Sequence, residues 1–391
     1  MRALIVAYYF PPKGGAGTQR FAKFCRYLPE HGVEPVVLTV EESLRSEHAP
    51  HDDPTLSAGG CRVERVAAPS RPAAGARLRR TLRLHVDEDE WADAACARAR
   101  ALSRAERFDV VVTTLSPYAC ARVGAALQRE LGLPWVVDLR DPWALDAWRV
   151  HPSPLHAWLD LRRMRRVLAR ADAVVANVPE AGRAYAALGA DPRRCVVVPN
   201  GYDEADFAAA EPARPAADER FRLVHLGTFH PADLPAGATS NTLRRVRHRQ
   251  VEPLGRTGYY LLHGVARWRD RVGPALAARL SVDLYGRVDA SHRELIARLG
   301  LEGLVAARGY VPHAESIAAL CSAHAVFVPL HGVPAGERAL VVPGKLYEAL
   351  ASERPVLAAL PPGDGSDLVR LLSAGPVVPP TDADAIARSE E

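Results

Sequence analysis

The segment VPGKLYEALA, residues 342–351, carries the sharpest pattern of chemically useful side chains. Pro343 and Gly344 predict the start of a helix, where unpaired backbone N–H groups favour an anion such as a diphosphate. Lys345 and Glu348 are three residues apart and would share one helical face. Lys345 could neutralise phosphate charge, while the Glu348 carboxylate could accept two hydrogen bonds from a ribose diol. An ordinary ion pair on a surface helix is the competing interpretation.

A glycine-rich segment, PPKGGAGTQR at residues 11–20, follows a predicted first strand and opens a predicted helix. Gly15 and Gly17 would let the backbone approach a ligand closely, and the helix start favours an anion. Arg20 stands where the dinucleotide fingerprint needs a third glycine, so we do not expect an NAD enzyme. A glycine turn that only permits tight packing also fits these residues.

A third polar cluster, WVVDLRDPW at residues 135–143, lies near the end of another predicted strand. Arg140, Asp141 and Trp143 would stand where the strand leaves the sheet, with an aromatic face suited to a sugar or a cofactor. A buried Arg–Asp pair that braces the loop is the alternative for the same residues.

Both halves of the chain alternate short β-branched strands with amphipathic segments. In the first half, strands are predicted at residues 3–10, 33–40, 109–114, 135–138, 173–176 and 195–198. In the second half, they are predicted at residues 222–227, 281–285, 305–310, 325–328, 356–359 and 377–378. Strands that are apolar almost throughout indicate parallel sheets buried on both faces. We therefore predict an α/β chain of two Rossmann-like, doubly wound domains that face a cleft.

A Pro/Ala segment at residues 208–218 reads as a linker between the two domains. We place the boundary between residues 211 and 212, which gives domains at 1–211 and 212–391. An arginine-rich insertion at 231–255 interrupts the second series of strands. Loops of this length are usually functional or disordered, and we favour a solvated insertion over an anion-binding flap.

Composition bounds the class of protein. The 391 residues are 48% hydrophobic and 25% charged, which indicates a globular chain without a membrane span. Its formal net charge is only +4, so we expect no nucleic-acid partner. The six cysteines have no paired spacing typical of a zinc or redox site. Residues 3–10 resemble a first strand more than a signal peptide, which predicts a cytoplasmic protein.

Five motifs occur in order along the chain: YYFPP with GGAG at residues 8–17, DLRDPW at 138–143, VPNGYD at 198–203, the Gly227-Thr228 turn, and PGKLYE at 343–348. Together they resemble family-4 glycosyltransferases with the GT-B fold. The resemblance implies that the second domain binds a nucleotide-sugar donor and the first binds the acceptor. It covers nearly the whole chain.

The resemblance also implies roles for single residues. Glu348 matches the ribose-binding glutamate of the family, and Arg256 stands in for its basic diphosphate ligand, with Lys345 close by. Tyr310 and Val311 fall where the family's backbone touches the base. The donor-binding set is then Gly15, Gly17, Gly227, Thr228, Tyr310, Val311, Gly344, Lys345 and Glu348, and the acceptor set is Arg140, Asp141 and Trp143.

The reaction implied is transfer of a sugar from a nucleotide-diphosphate sugar to a sugar-containing or small-molecule acceptor, with retention of configuration. Lys345, Arg256 and the helix start at Gly344 would stabilise the leaving diphosphate. If the enzyme inverts instead, Asp141 is the candidate general base. The acids at residues 87–89 could be mistaken for a metal-binding Asp-x-Asp motif, but they precede a helical segment, and acids favour a helix start. We therefore expect no metal, and we expect no cofactor.

Some positions depart from the family. Leu340 stands where many members have a second glutamate near the donor sugar, so sugar recognition would fall to the backbone of residues 331–336. Thr228 and Phe229 occupy the turn where the family has an arginine–lysine pair. The chain ends at residues 387–391 without an obvious final helix, which fits a truncated protein.

Two other functions fit the same pattern: a nucleotide-sugar epimerase of this architecture, and a non-catalytic sugar-nucleotide binder, which Leu340 suggests. Peripheral membrane contact is a further expectation. Residues 155–170 alternate apolar side chains with arginines, which suits an interfacial helix. A helix packed on its own sheet is the favoured interpretation of that segment.

Overall fold

The computed structural model describes residues 1–14, 16–41, 59–67, 89–208, 220–233 and 246–389. Chain contacts divide it into two compact units. Unit 1 comprises Met1–Pro199 with Asn241–Arg249, and unit 2 comprises Asn200–Ser240 with Gln250–Glu391. The predicted boundary at residues 211/212 lies outside the described residues, as do Gly15 and residues 234–245 of the insertion.

Unit 1 contains a seven-stranded parallel sheet in the order β3-β2-β1-β4-β5-β6-β7. Its strands are β1 Arg2–Val6, β2 Glu34–Val40, β3 Arg62–Val66, β4 Val110–Leu115, β5 Trp135–Leu139, β6 Ala173–Ala176 and β7 Cys195–Val197. Its helices are α1 Ala16–Tyr27, α2 Asp89–Ala105, α3 Cys120–Leu131, α4 Pro154–Arg170 and α5 Pro179–Ala187.

Unit 2 contains a six-stranded parallel sheet in the order β10-β9-β8-β11-β12-β13. Its strands are β8 Phe221–Leu226, β9 Leu280–Tyr285, β10 Val305–Gly309, β11 Ala325–Pro329, β12 Val356–Ala359 and β13 Val377–Val378. Its helices are α6 Glu204–Ala208, α7 Tyr259–Val272, α8 Pro274–Ala277, α9 Ala290–Arg298, α10 His313–Cys321, α11 Gly344–Ala351, α12 Asp364–Leu371 and α13 Ala383–Arg388.

The central strands explain why the sheets form. In β1, residues 3–6 are all buried, and in β11 all five residues are buried. Strands covered by helices on both faces need such unbroken apolar runs, in contrast to the alternation of a half-exposed strand. The predicted fold class, two Rossmann-like α/β domains, is confirmed.

Both sheets reverse their strand order once, between β1 and β4 in unit 1 and between β8 and β11 in unit 2. In open parallel sheets, ligands bind outside the carboxyl ends of the strands at such a switch point. The residues that follow these four strands are therefore the first places to look for a site.

A short final helix, α13, was not predicted. Ile386 lies so close to α7 that a Cβ built on Gly264 would come within 2.8 Å of its Cγ2 atom. Gly264 thus allows α13 to pack directly on α7, and both helices belong to unit 2.

Candidate functional site

Three neighbouring strands of unit 2 end at glycines with positive φ: Gly227 at 136°, Gly286 at 109° and Gly309 at 80°. The Gly286 N–H donates to the Gly309 carbonyl at 2.7 Å, and the Gly227 N–H donates to the Tyr285 carbonyl at 3.0 Å. A Cβ on Gly286 would lie 2.2 Å from the Gly227 carbonyl oxygen. This edge of the sheet is therefore closely packed backbone that only glycine permits.

Two predicted donor-binding turns leave this edge. Gly227 is half-buried and Thr228 is exposed at the end of β8. At the end of β10, Tyr310 is 48% exposed and Val311 is half-buried. Val311 is followed closely by α10, whose first residue is His313. The structure thus places the two turns at the same end of the sheet, with the end of β9 between them.

Helix α11 holds a buried carboxylate with two basic partners. Glu348 is only 7% exposed. The Lys345 ammonium donates to its Oε2 atom at 2.9 Å, and the His313 Nε2 atom lies 2.9 Å from its Oε1 atom. Because a carboxylate only accepts hydrogen bonds, His313 is the donor here. Lys345 and Glu348 thus form the i,i+3 ion pair of the competing interpretation, but its carboxylate is buried, while the Lys345 side chain is 34% exposed.

These partners keep Glu348 charged. Burial raises the pKa of Glu348, but the charge of Lys345 and the hydrogen bond from His313 outweigh it and lower the pKa to about 2. The other imidazole nitrogen of His313 lies 3.6 Å from the Asp206 carboxylate on α6. Sequence reasoning missed both His313 and Asp206, because no local motif marks either residue.

The VPNGYD segment also reaches this cluster. A Cβ built on Gly344 would meet the Asn200 side-chain amide nitrogen at 3.8 Å. Asn200 therefore stands directly beside the first residue of α11, and both residues belong to unit 2. The amide group of Asn200 adds a neutral donor and acceptor next to the helix start.

Arg256 is the last residue of the 3-10 turn Pro253–Arg256. A Cβ on Gly255 would lie 2.8 Å from the Leu330 carbonyl oxygen, so this turn packs tightly on the chain leaving β11. The His230 N–H faces the Arg256 carbonyl at 3.4 Å. Burial and the charge of Arg256 lower the pKa of His230 to about 4. The predicted basic ligand is thus held beside the segment that follows β8.

A buried histidine supports the β8 turn. The ring of His225 stacks on Phe229 at a centroid distance of 4.0 Å, and Phe229 stacks on His292 at 5.5 Å. His225 donates through Nδ1 to the Phe327 carbonyl at 3.0 Å, and within the described residues its Nε2 atom has no hydrogen-bond partner. Burial lowers the pKa of His225 to about 4, and the charge of Lys345 contributes to this shift.

In unit 1, Arg140 connects the exits of three strands. Its guanidinium lies directly on Gly17 of α1, where a Cβ would come within 1.2 Å of Nη1. Its Nη2 atom donates to the Ser116 carbonyl at 3.2 Å, and its Nε atom lies 3.4 Å from the Asp141 carboxylate. The Asp141 side chain is 45% exposed. Gly17 is thus required by Arg140, and Asp141 remains open to solvent.

The buried Arg–Asp pair of this region is a different one from the pair that residues 138–141 suggested. Arg20 of α1 donates to Asp138 at 2.9 Å and also to the carbonyls of Val198 and Pro199 at 2.8 and 2.9 Å. Thr114 donates to the other oxygen of Asp138 at 3.0 Å. Asp138 is therefore structural, whereas Asp141 is not part of this network.

Trp143 does not present the open aromatic face that its sequence position suggested. It is 3% exposed, and its ring stacks on Tyr118 with a centroid distance of 4.8 Å and an angle of 9°. Its indole N–H donates to Asp160 at 3.1 Å. The covered ring and the occupied N–H support the loop around Arg140 and Asp141.

Three further features that the sequence analysis named can be located in the structure. Leu340 is buried. In the insertion, Val246 pairs with His151 of unit 1 through two backbone hydrogen bonds of 2.8 and 2.9 Å. Asp89, the described member of the acidic run, forms an ion pair with Arg122.

The described residues contain neither a candidate metal cluster nor a membrane-spanning helix. Over the part of the chain that the structure describes, no group of three or more His, Cys, Asp and Glu side chains is arranged to hold a metal ion. Among the same residues, no helix has the length and hydrophobicity needed to cross a bilayer.

Comparison with known proteins agrees with this geometry. Residues 14–201 match the family model of the glycosyl transferase 4-like domain. No curated protein matches the sequence. Among solved structures, Anabaena HepE in complex with UDP and glucose has a TM-score of 0.61 at 18% identity, covering 99% of this chain and 88% of that one.

Two other solved structures share the fold over the full length of this chain. Sucrose-phosphate synthase from Thermosynechococcus elongatus has a TM-score of 0.64 at 17% identity, covering 100% of this chain and 88% of that chain. A putative UDP-N-acetylglucosamine 2-epimerase from Listeria monocytogenes has a TM-score of 0.54 at 11% identity, covering 100% and 86%. These similarities establish the GT-B fold, which transferases and epimerases share.

Proposed function

We propose that the chain transfers a sugar from a nucleotide-diphosphate sugar to an acceptor hydroxyl, a function that the match of residues 14–201 to the glycosyl transferase 4-like family model supports. The observation that carries this proposal is the cluster of Glu348, Lys345 and His313 beside the glycine-lined edge of unit 2. Burial of a charged carboxylate costs free energy, so such a group usually belongs to a ligand-binding site or to a hydrogen-bonded network.

Unit 2 binds the donor. Each oxygen of Glu348 already accepts one hydrogen bond, and a carboxylate has about four acceptor positions, so two remain for a ribose diol. Tyr310 and Val311 flank the base, and the backbone around Gly227 and Thr228 approaches the phosphates. HepE was crystallised with UDP and with UDP-glucose, so uridine nucleotides are the first donors to test.

The chemical step depends on the leaving diphosphate. Its negative charge grows as the glycosidic bond breaks, and preorganised positive groups stabilise that change most strongly. Lys345, Arg256 and the backbone N–H groups at Gly344 supply this stabilisation. With retention of configuration, the acceptor hydroxyl attacks from the face that the diphosphate leaves, and its proton passes to the leaving diphosphate, so that no protein nucleophile or metal is required.

Unit 1 supplies the acceptor-binding residues. Arg140 is fixed by Gly17 and Ser116, so its position does not depend on the acceptor. Asp141 is exposed beside it and can accept a hydrogen bond from an acceptor hydroxyl. Such a fixed arginine with an adjacent open carboxylate suits a polar, hydroxyl-rich acceptor such as a saccharide.

A nucleotide-sugar epimerase is the second candidate, because a structure with that name shares the fold over the whole of this chain. The two functions differ in what they do to the donor alone. A transferase needs an acceptor and releases a nucleoside diphosphate, whereas an epimerase isomerises the sugar without one.

A thermal-shift panel of nucleosides, nucleoside diphosphates and nucleotide sugars tests the proposal. A ligand that binds only the folded state raises the midpoint of thermal unfolding. At a ligand concentration of 100 times Kd, it adds about 2.7 kcal/mol to the free energy of unfolding. We expect diphosphates to stabilise the wild type and nucleosides without phosphates to stabilise it much less. If no nucleotide shifts the midpoint, the proposal fails.

A further inference from the structure

Helix α4, Pro154–Arg170, has two contrasting faces. One face packs on unit 1 through Ala157, Asp160, Met164 and Leu168, which are all buried. The opposite face is exposed to solvent. It contains Leu155, Trp158, Arg162, Arg165, Arg166 and Ala169, which a helical period of 3.6 residues places along one stripe. We call these six residues the α4 face.

The first turns of the α4 face are apolar. Leu155 is 58% exposed and Trp158 is 52% exposed, and Val150 lies exposed just before the helix. The Arg162 guanidinium lies over the Trp158 ring at 5.1 Å. Exposed aliphatic and aromatic side chains next to arginines are typical of helices that lie in a membrane interface.

Four of the five arginines of α4 differ from those on neighbouring helices. Arg98 of α2 pairs with Glu64, Arg100 of α2 pairs with Glu130, and Arg122 of α3 pairs with Asp89.

By contrast, the side chains of Arg162, Arg165, Arg166 and Arg170 have no carboxylate partner among the described residues. The one acid of α4, Asp160, is buried and pairs with Arg149. Within the part of the chain that the structure describes, the α4 face is therefore a positive surface without compensating carboxylates.

We propose that the α4 face docks on an anionic lipid bilayer, with Leu155 and Trp158 in the headgroup–acyl boundary and the arginines on lipid phosphates. The two halves of the face match the two halves of such an interface: apolar side chains gain by burial, and the unpaired guanidiniums gain by contact with anionic headgroups. The proposal concerns lipid binding and does not depend on the proposed transfer reaction.

A nucleic acid is a weaker match to the same surface. Phosphate backbones would satisfy the arginines, but they offer no apolar phase for Leu155, Trp158 and Val150. A membrane interface accommodates all of these side chains at once.

Co-sedimentation of the full chain with vesicles tests the proposal. The wild type should bind vesicles of phosphatidylcholine mixed with phosphatidylglycerol and should bind pure phosphatidylcholine poorly. Its binding to the mixed vesicles should weaken as salt is added. Each basic residue near an anionic surface contributes about 1 kcal/mol, so Arg165→Ala with Arg166→Ala should weaken binding roughly 30-fold. Trp158→Ala should weaken binding at high salt as well.

A matched control separates this face from general positive charge. Arg193→Ala with Arg194→Ala removes the same charge from another exposed part of unit 1 and should leave vesicle binding unchanged. Circular dichroism and thermal unfolding monitor the folding of every variant. Equal losses in both double variants, or absence of vesicle binding by the wild type, would overturn the proposal. So would tight binding of duplex DNA or RNA that only the α4 variant loses, together with unchanged vesicle binding.

Discussion

His313 and Glu348 lie on different helices, 35 positions apart in sequence, and their side chains meet at 2.9 Å. His313 begins α10 after β10, and Glu348 lies in α11 after β11. The contact makes Glu348 a fixed, charged acceptor before any ligand arrives. Preorganisation of this kind reduces the cost of ordering the site when a nucleotide binds.

Glu348→Ala should weaken binding of nucleoside diphosphates by about 1.5–3 kcal/mol, the usual contribution of hydrogen bonds to a charged group. Calorimetry measures this as a loss of about tenfold to 150-fold in affinity. The wild type should also prefer the ribonucleotide to its 2′-deoxy analogue, and the variant should lose that preference. Glu315→Ala, at an exposed position of α10, is the matched control. Unchanged affinity in a folded variant would remove Glu348 from the site.

His313→Ala should have a smaller effect of the same kind. The variant keeps the Glu348 carboxylate and its contact with Lys345 but loses the donor to Oε1. We expect about fivefold weaker binding of nucleoside diphosphates, in line with about 1 kcal/mol for one hydrogen bond. His313→Gln should recover part of the loss, because its amide also donates. A loss as large for a phosphate-free, 2′-deoxy nucleoside would indicate a general packing defect instead.

Asp141→Asn tests what unit 1 contributes, because it keeps the shape of the side chain and removes its charge. Under retention, Asp141 orients the acceptor, so the acceptor KM should rise while donor binding changes little. Under inversion, Asp141 is the general base, and kcat should fall by about 10²–10⁴-fold while both substrates still bind. Wild-type kinetics for both substrates would exclude both roles.

His225 makes the protein sensitive to acid. Its pKa is about 4 in the folded state against 6.5 for the free side chain, so the unfolded chain binds more protons between these values. Stability must therefore fall as the pH drops from 6.5 towards 4, by about 3 kcal/mol from this residue at pH 4. In His225→Phe, the difference in unfolding free energy between pH 7 and pH 4 should shrink by about that amount. An identical pH dependence in both proteins would refute this assignment.

Local patterns were enough to predict the fold class and part of the site. The central strands are unbroken runs of apolar residues, and Lys345 and Glu348 share a helical face because of their spacing alone. These features depend on residues that are close in sequence. The predicted donor turn at Gly227 is likewise marked by a glycine directly after a strand.

Other features depend on contacts between distant segments and could not be predicted. His313 reaches Glu348 only because the sheet places the exits of β10 and β11 on one edge. Trp143 looked like an open aromatic face, but Tyr118 and Asp160, from other elements, cover its ring and bind its N–H group. Asp138 similarly depends on Arg20, which lies 118 positions earlier.

The proposed transfer reaction is tested most directly by NMR. The protein is incubated with saccharide acceptors and a nucleotide sugar chosen by the thermal-shift panel, and the fate of the donor is followed. The nucleoside diphosphate should appear together with a new glycoside whose anomeric configuration is that of the donor. Lys345→Ala should slow this reaction far more than it weakens donor binding, since its charge acts on the leaving group. Isomerisation of the donor sugar without an acceptor, or a donor that binds and stays unchanged with every acceptor, would contradict the account.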